Sequence, residues 1–433
     1  MAAHRPSAAR LSRRGFLGAL PAPYLNLARA GRPPNVLVFM TDQESALLPG
    51  PVKLPARQRI IESGVRFRSA FCSTPQCSPA RAALQTGLYP HLAGVVTNVD
   101  GSSLGKPLNA RVPTVGTVFQ SAGYQTAYFG KWHLGGEEEG PAQFGYSYVH
   151  SGEDEEVARQ AAAWIVEQRE PWLAWVSVLD PHHIYDNRRH LAELRLREGA
   201  RPPRSGLENL RSKPSEQMAY VEQDQGKQTR DFSTEHWLRY RSFYCELVEK
   251  TDICLWLVLG AVRDWDSTII AYTSDHGDAL GEHGLPYKGP FMYEELIRIP
   301  LIIHGPGVFS RPRERDDLVT QVDLPKTLAS LAGLRWPRPV AGRDLAKDTR
   351  GPDAVFLEYY AKQKWVNPIR TIRTRRWKLN LYDRGNREMY DLESDPHELV
   401  NLAGDRRTRQ IEGSLEKRLD QWRKPMFTPE PPA

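Results

Sequence analysis

"NVLVFMTDQ", residues 35–43, opens with an unbroken apolar run and closes on a carboxylate and an amide. A run with no polar alternation suits a strand buried on both faces of a sheet. Four more stretches read the same way: "QTAYF" (125–129), "WLAWVSVL" (172–179), "TIIAYT" (268–273) and "PLIIH" (300–304). Helical patterns separate them. "EDEEVARQAAAWIVEQRE" (153–170) starts acidic and spaces Val157, Ala161, Trp164 and Ile165 on one side, and a longer helix fits 236–263. Strands alternating with helices predict an α/β fold: a large, mostly parallel sheet flanked by helices.

Beyond residue 352 the pattern changes. "VFLEYY", "IRTIRTRRWKLNLYD" and "EMYDLESDP" read as antiparallel strands with turns, followed by a helix over 407–422. The chain therefore divides into 31–351, a larger α/β domain, and 352–433, a smaller C-terminal α+β subdomain. Residues 186–235 are polar and weakly periodic, the mark of a surface excursion or lid. "ICLWLVLGAV" (253–262) is too short for a membrane span and reads as a buried helix, so no stable membrane insertion is expected.

Residues 1–30 stand apart. "SRRGFLGALPAPYLNLARA" sets Arg13 and Arg14 before an apolar stretch and ends on a small-x-small site, which resembles a twin-arginine export signal. The segment holds five arginines and no acid, so its removal takes the formal charge from +6 to +1. Nucleic acid is not implied by the mature chain. Export through the Tat machinery to a periplasmic or extracellular location is expected. Four cysteines, at 72, 77, 245 and 254, are too few for a disulfide scaffold. Cys245 and Cys254 lie on opposite faces of one helix and cannot pair; buried packing is the reading for them and for Cys72.

Ligands of open α/β sheets sit beyond the carboxyl ends of the strands. Seven polar residues follow the apolar runs at that position: Asp42 and Gln43, Lys131 and His133 in "GKWHLG", His182 in "DPHH", and Asp275 and His276 in "SDHGDALGEHG". Singly, each reads as a loop residue; together they point to a site. Asp42, Gln43, Asp275 and His276 could share a hard cation, Ca²⁺ or Mg²⁺, with the imidazole leaving Mn²⁺ open. In "FCSTPQCSPARAALQTGLYP" (71–90), Ser78 and Pro79 make an N-cap and first-turn pair, which sets Cys77 before the positive end of a helix. Two further patterns carry nothing. "GSSLG" (101–105) precedes Lys-Pro and no helix, and His283 between two glycines reads as a local hydrogen-bonding residue.

"CSPARAALQTG", with "NVLVFMTDQ", "GYQTAYFGKWHLG", "DPHH", "SDHGDALGEHG", "KGPFMYEELIRIPLIIHGPG" and "REMYDLESDPHELVNLA", resembles the type I sulfatases of the alkaline phosphatase superfamily. The likeness covers most of the mature chain. It implies an alkaline phosphatase-like fold and a sulfuric ester hydrolase in which a maturase oxidises Cys77 to Cα-formylglycine. The hydrated aldehyde carries two hydroxyls, one to attack sulfur and one to expel sulfate later. By the same resemblance, residue 77 joins Asp42, Asp275 and His276 on the cation, with Gln43 where many members have aspartate and His276 where many have asparagine. Arg81 holds the formylglycine, Lys131 bridges it to sulfate, and Lys288 binds a sulfate oxygen. His133 takes a proton during sulfate release, and His182, or His183 beside it, protonates the leaving oxygen. The expected substrate is a sulfated small molecule or glycan. A phosphonate monoester or phosphodiester hydrolase uses the same machinery, and an unmodified Cys77 would leave only an anion-binding protein.

Overall fold

The computed structural model describes residues 32–101, 104–136, 140–169, 171–186, 193–362 and 365–423. The segment 1–30, read above as resembling an export signal, lies outside them, as do two residues of "GSSLG". The strands, in chain order, are β1 (Asn35–Asp42), β2 (Val65–Phe67), β3 (Ala70–Phe71), β4 (Gln125–Gly130), β5 (Tyr148–His150), β6 (Trp172–Pro181), β7 (Thr268–Ser274), β8 (Leu301–His304), β9 (Arg313–Arg315) and β10 (Val319–Thr320), then β11 (Ala354–Lys362), β12 (Trp365–Thr374), β13 (Trp377–Tyr382) and β14 (Arg387–Asp391).

Eight of them form one sheet in the order β5-β4-β6-β1-β7-β8-β2-β9. The neighbours from β5 to β7 are all parallel, which aligns their carboxyl ends on one edge. β1 is buried throughout because both its faces are covered. Val36, Val38 and Met40 enter one core with Tyr128, Trp175 and Leu84, while Leu37 and Phe39 enter a second with Val157, Leu255 and Ile270. The helices Asp154–Glu167 and Thr234–Ala261 pack on that second face. Val157, Ala161, Trp164 and Ile165 are all buried there, as their spacing predicts.

Three expectations are corrected. "PLIIH" is not a parallel strand: β8 runs antiparallel to β7. The intervening segment carries the short 3-10 turn Glu282–Gly284 and the one-turn helix Glu294–Ile297 but no crossover helix, so the chain returns antiparallel. The segment 253–262 is helical through Ala261 but buried on one side only, with Ile253, Trp256 and Leu257 at 69%, 52% and 42% exposure. Among the described residues no helix is long and apolar enough to cross a membrane. Within 186–235, helix Ser215–Gln223 buries Gln217, Tyr220 and Val221 and is no mere surface excursion. Its Gln217 donates to Glu388 of β14 (2.9 Å).

Strands β11 to β14 form an antiparallel sheet in sequence order. Ile372, Leu379 and Met389 on one face pack against Leu415 and Leu419 of helix Arg409–Arg423. This gives the large, mostly parallel sheet with flanking helices and the smaller antiparallel C-terminal sheet. Cys72, Cys77, Cys245 and Cys254 are all free and buried.

Candidate active site

Register brings four strand ends together. Thr41 of β1 stands beside Ser274 of β7, and Asp42 beside Pro181 of β6, so Asp42, Asp275 and His182 leave the sheet at one place. On β4, Gly130 pairs with Ser177 at φ +85°, and a Cβ there would meet the Ser177 carbonyl at 2.0 Å. Only glycine fits that turn, which delivers Lys131 and His133. Gln43 also has a left-handed backbone, φ +71°. It is pinned there by its own N–H donating to Asp275 Oδ1 (2.9 Å) and by Tyr244 Oη donating to its carbonyl (2.7 Å).

Helix Cys77–Thr86 aims its first turn at this edge, starting earlier than the Ser78–Pro79 reading places it. Gln76, extended at φ −151° and ψ 139°, is the N-cap, and Cys77 is the first helical residue. Ser78 cannot cap because its groups are taken: its N–H donates to Asn98 Oδ1 (3.0 Å) and its Oγ accepts from the Val99 N–H (3.0 Å). One turn on, buried Arg81 donates to Asp275 Oδ2 (2.9 Å), Asp42 Oδ2 (2.8 Å), Ser177 Oγ (2.8 Å) and the Lys131 carbonyl (2.6 Å). Arg81 thus ties the two carboxylates together.

Cys77 Sγ is the centre of the cluster. It lies 3.0 Å from Lys288 Nζ, 3.3 Å from His276 Nε2, 3.8 Å from Asp42 Oδ1 and 3.9 Å from Lys131 Nζ. Ligand atoms of Asp42, Cys77, Asp275 and His276 all lie within 4.8 Å of one another, fully buried. Two carboxylates and an imidazole on one point fit a hard divalent cation. Gln43 stands beside this group: its Oε1 accepts from Lys288 Nζ (2.7 Å) and its Nε2 donates to Asp278 Oδ2 (2.7 Å). His133, His182 and Lys288 line the same pocket as Cys77, with Tyr185, which stacks on Tyr287 at 4.0 Å. His183 Nδ1 lies 2.7 Å from Asp180 Oδ1, and His283 meets Asn209 Oδ1 at 2.8 Å, a hydrogen-bonding partner 74 residues away in sequence and not the local one expected.

The charges are mutually tuned. Burial raises the Cys77 thiol, but Lys131, Lys288 and His276 outweigh it and hold it well below the ordinary thiol range. Asp42 is likewise lowered, because Lys131, His182 and Arg81 overcome its burial and the nearby thiolate. Asp275 is raised by burial and by Asp42 beside it. Burial pushes His182 below its ordinary range. Two polar atoms lining or adjoining the pocket, Gln76 Oε1 and His133 Nδ1, are buried with no partner among the described residues.

The sequence did not single out Ser177, Asp278, Gln76, Tyr185 or Gln321. Gln321 joins two parts of the site: its Oε1 accepts from the Ser73 N–H (3.0 Å), and its Nε2 donates to the Asp275 carbonyl. Only the strand-end rule could have reached any of these, and it reaches just Asp278.

The family description "Sulfatase" matches residues 34–334, and "N-sulphoglucosamine sulphohydrolase, C-terminal" matches 281–425. The Delta 4,5-hexuronate-2-O-sulfatase of Bacteroides thetaiotaomicron is 28% identical, over 91% of this chain and 90% of its own. The choline-sulfatase of Rhizobium meliloti is 29% identical, over 86% and 82%. Among solved structures, a 2-O GAG sulfatase, BT1596, superposes with a TM-score of 0.80 at 24% identity, over 91% of this chain and 93% of that one.

Proposed function

The chain belongs to the sulfatase family of the alkaline phosphatase superfamily, and from that premise we propose an exported hydrolase of sulfate esters that acts on a sulfated carbohydrate. Its nucleophile is Cys77 in the Cα-formylglycine form, and its cation, Ca²⁺ with Mg²⁺ or Mn²⁺ as alternatives, is held by Asp42, Asp275, His276 and residue 77, with Gln43 beside them. The observation that carries the reading is the convergence of Lys131, Lys288, His276 and Asp42 on Cys77 Sγ at 3.0 to 3.9 Å. The carbohydrate class rests on likeness to the hexuronate sulfatase.

When bound, the cation lowers the pKa of a hydroxyl on residue 77 and offsets charge on sulfate oxygens. The hydrated aldehyde supplies two hydroxyls on one carbon, so sulfate transfer and sulfate release use different oxygens. Lys131 and Lys288 orient the sulfate and stabilise charge that grows on it. Arg81 keeps Asp42 and Asp275 in place. His182 gives its proton to the leaving oxygen as the S–O bond breaks, and the sulfate's negative charge offsets the burial that lowers its pKa. His133 accepts the proton freed from residue 77 when sulfate leaves. One water is consumed overall, giving alcohol and hydrogen sulfate.

Residues 1–30 act as the twin-arginine signal, with the maturase converting Cys77 before export to the periplasm or beyond. The test is a peptide mass spectrum across residue 77 of protein made with a formylglycine-generating maturase, paired with turnover of 4-nitrophenyl sulfate and of a phenylphosphonate ester. An aldehyde mass with faster sulfate turnover is expected. A persistent thiol, or faster phosphonate turnover, would displace the reading.

A further inference from the structure

We propose that the groove between helix Ser215–Gln223 and the β11–β12 hairpin is a carbohydrate subsite that seats the ring next to the sulfated one. The proposal rests on the sulfatase reading and extends it away from the sulfur. The pocket over Cys77 has a volume of about 240 Å³. Ligand pockets commonly span roughly 300–1,000 Å³, so this one takes the sulfate and the ring that bears it, and a longer substrate must leave by a wall. Tyr359 and Lys362 form that wall, and both also line a groove of about 680 Å³.

The groove is chemically equipped. Asn367, on β12, is only 5% exposed, yet neither its Oδ1 nor its Nδ2 has a partner among the described residues. A buried polar group left unpaired is destabilising unless a ligand meets it. One amide offers a donor and an acceptor side by side, which matches the vicinal hydroxyls of a sugar ring. Half-buried Trp365 lines the same groove two residues earlier and presents an apolar surface for a ring to lie on. Arg384 is exposed in the lining with no ion pair among the described residues, so an acidic ring, carrying carboxylate or a second sulfate, is favoured over a neutral one. Lys362 is not free for that task. Its Nζ donates to Asp224 Oδ2 (2.9 Å) and Gln225 Oε1 (2.7 Å), which keeps it as a fixed part of the wall.

The test uses the matured full-length enzyme with tetrasaccharides from heparin and from chondroitin sulfate, and with 4-nitrophenyl sulfate as a substrate too small to reach the groove. In Trp365→Ala and Asn367→Ala, the ratio of kcat/KM on the preferred tetrasaccharide to that on the aryl sulfate should fall about tenfold, a loss of about 1.4 kcal/mol. Trp365→Phe should restore most of it. A ratio unchanged in both Ala variants overturns the subsite, as does an equal loss on both substrates. If no sulfate ester is turned over, the sulfatase reading fails separately, and the subsite is decided by binding. On the Cys77→Ala protein the Kd of the same tetrasaccharides should rise about tenfold in both groove variants, and an unchanged Kd overturns it.

Discussion

Cys77 lies where a helix N-terminus and two lysines make an electropositive seat, beside a carboxylate pair. Its removal should therefore be silent in the fold and severe in the chemistry. Cys77→Ala should lower turnover by at least about four orders of magnitude, with Tm within a few degrees of the parent by scanning calorimetry; substantial turnover in a clean preparation would refute the nucleophile. The two adjacent histidines separate in the structure. His182 lines the pocket, whereas His183 is held by Asp180. His182→Ala should cost about 10²- to 10⁴-fold on a sugar sulfate and clearly less on 4-nitrophenyl sulfate, whose leaving group needs little protonation. Equal losses on the two substrates would argue that His182 is not the acid. His183→Ala should leave both rates near the parent values.

At the scale of elements, the turn after β4 sets the direction in which Lys131 and His133 leave the sheet. Gly130→Ala places a Cβ at φ +85° and 2.0 Å from the Ser177 carbonyl. The strain of such a conformation is about 1–3 kcal/mol, and relief must come from the β4–β6 pairing or from the Lys131 turn. The expected result is a Tm several degrees lower together with a drop of at least about tenfold in kcat/KM; an unchanged kcat/KM with a lowered Tm would show that Lys131 keeps its place without this glycine. The buried parallel strands were legible because their apolar runs are short and are separated by segments of helical period. The direction of β8 was not, since "PLIIH" would be equally apolar either way and only the missing crossover helix decides it. Nor was helix Ser215–Gln223, whose buried Gln217 pairs with Glu388 and leaves no apolar period to read. The strand-end residues were legible by position. Their division of labour, with Arg81 on the carboxylates and Gln43 between Lys288 and Asp278, depends on contacts far apart in sequence.

Across the whole molecule, the C-terminal sheet is joined to the catalytic body by buried charge, and this sets a pH dependence on stability that no local pattern announces. Arg373 of β12 and Lys378 of β13 pair with Glu294, and Lys378 also with Glu398. Glu295, next to Glu294, has no ion pair among the described residues, and Lys378 offsets its burial only in part. Burial, with Glu282 and Glu398 near, pushes its carboxyl up to about 8 from an ordinary 4.5. The unfolded chain sheds that proton as pH passes the ordinary value, while the folded protein keeps it until about 8. The folded state thus binds more protons across this window, and stability falls as pH rises, by up to about 1.4 kcal/mol per pH unit. Glu295→Gln keeps the shape and cannot ionise in either state. With Ca²⁺ added to the buffer throughout, the variant should melt several degrees above the parent at pH 8 and close to it near pH 5, because only the parent carries the proton-linked loss. A gap that stays constant with pH, or reverses, would mean that Glu295 is ionised in the fold and that a cation reaches it across the interface between the two sheets.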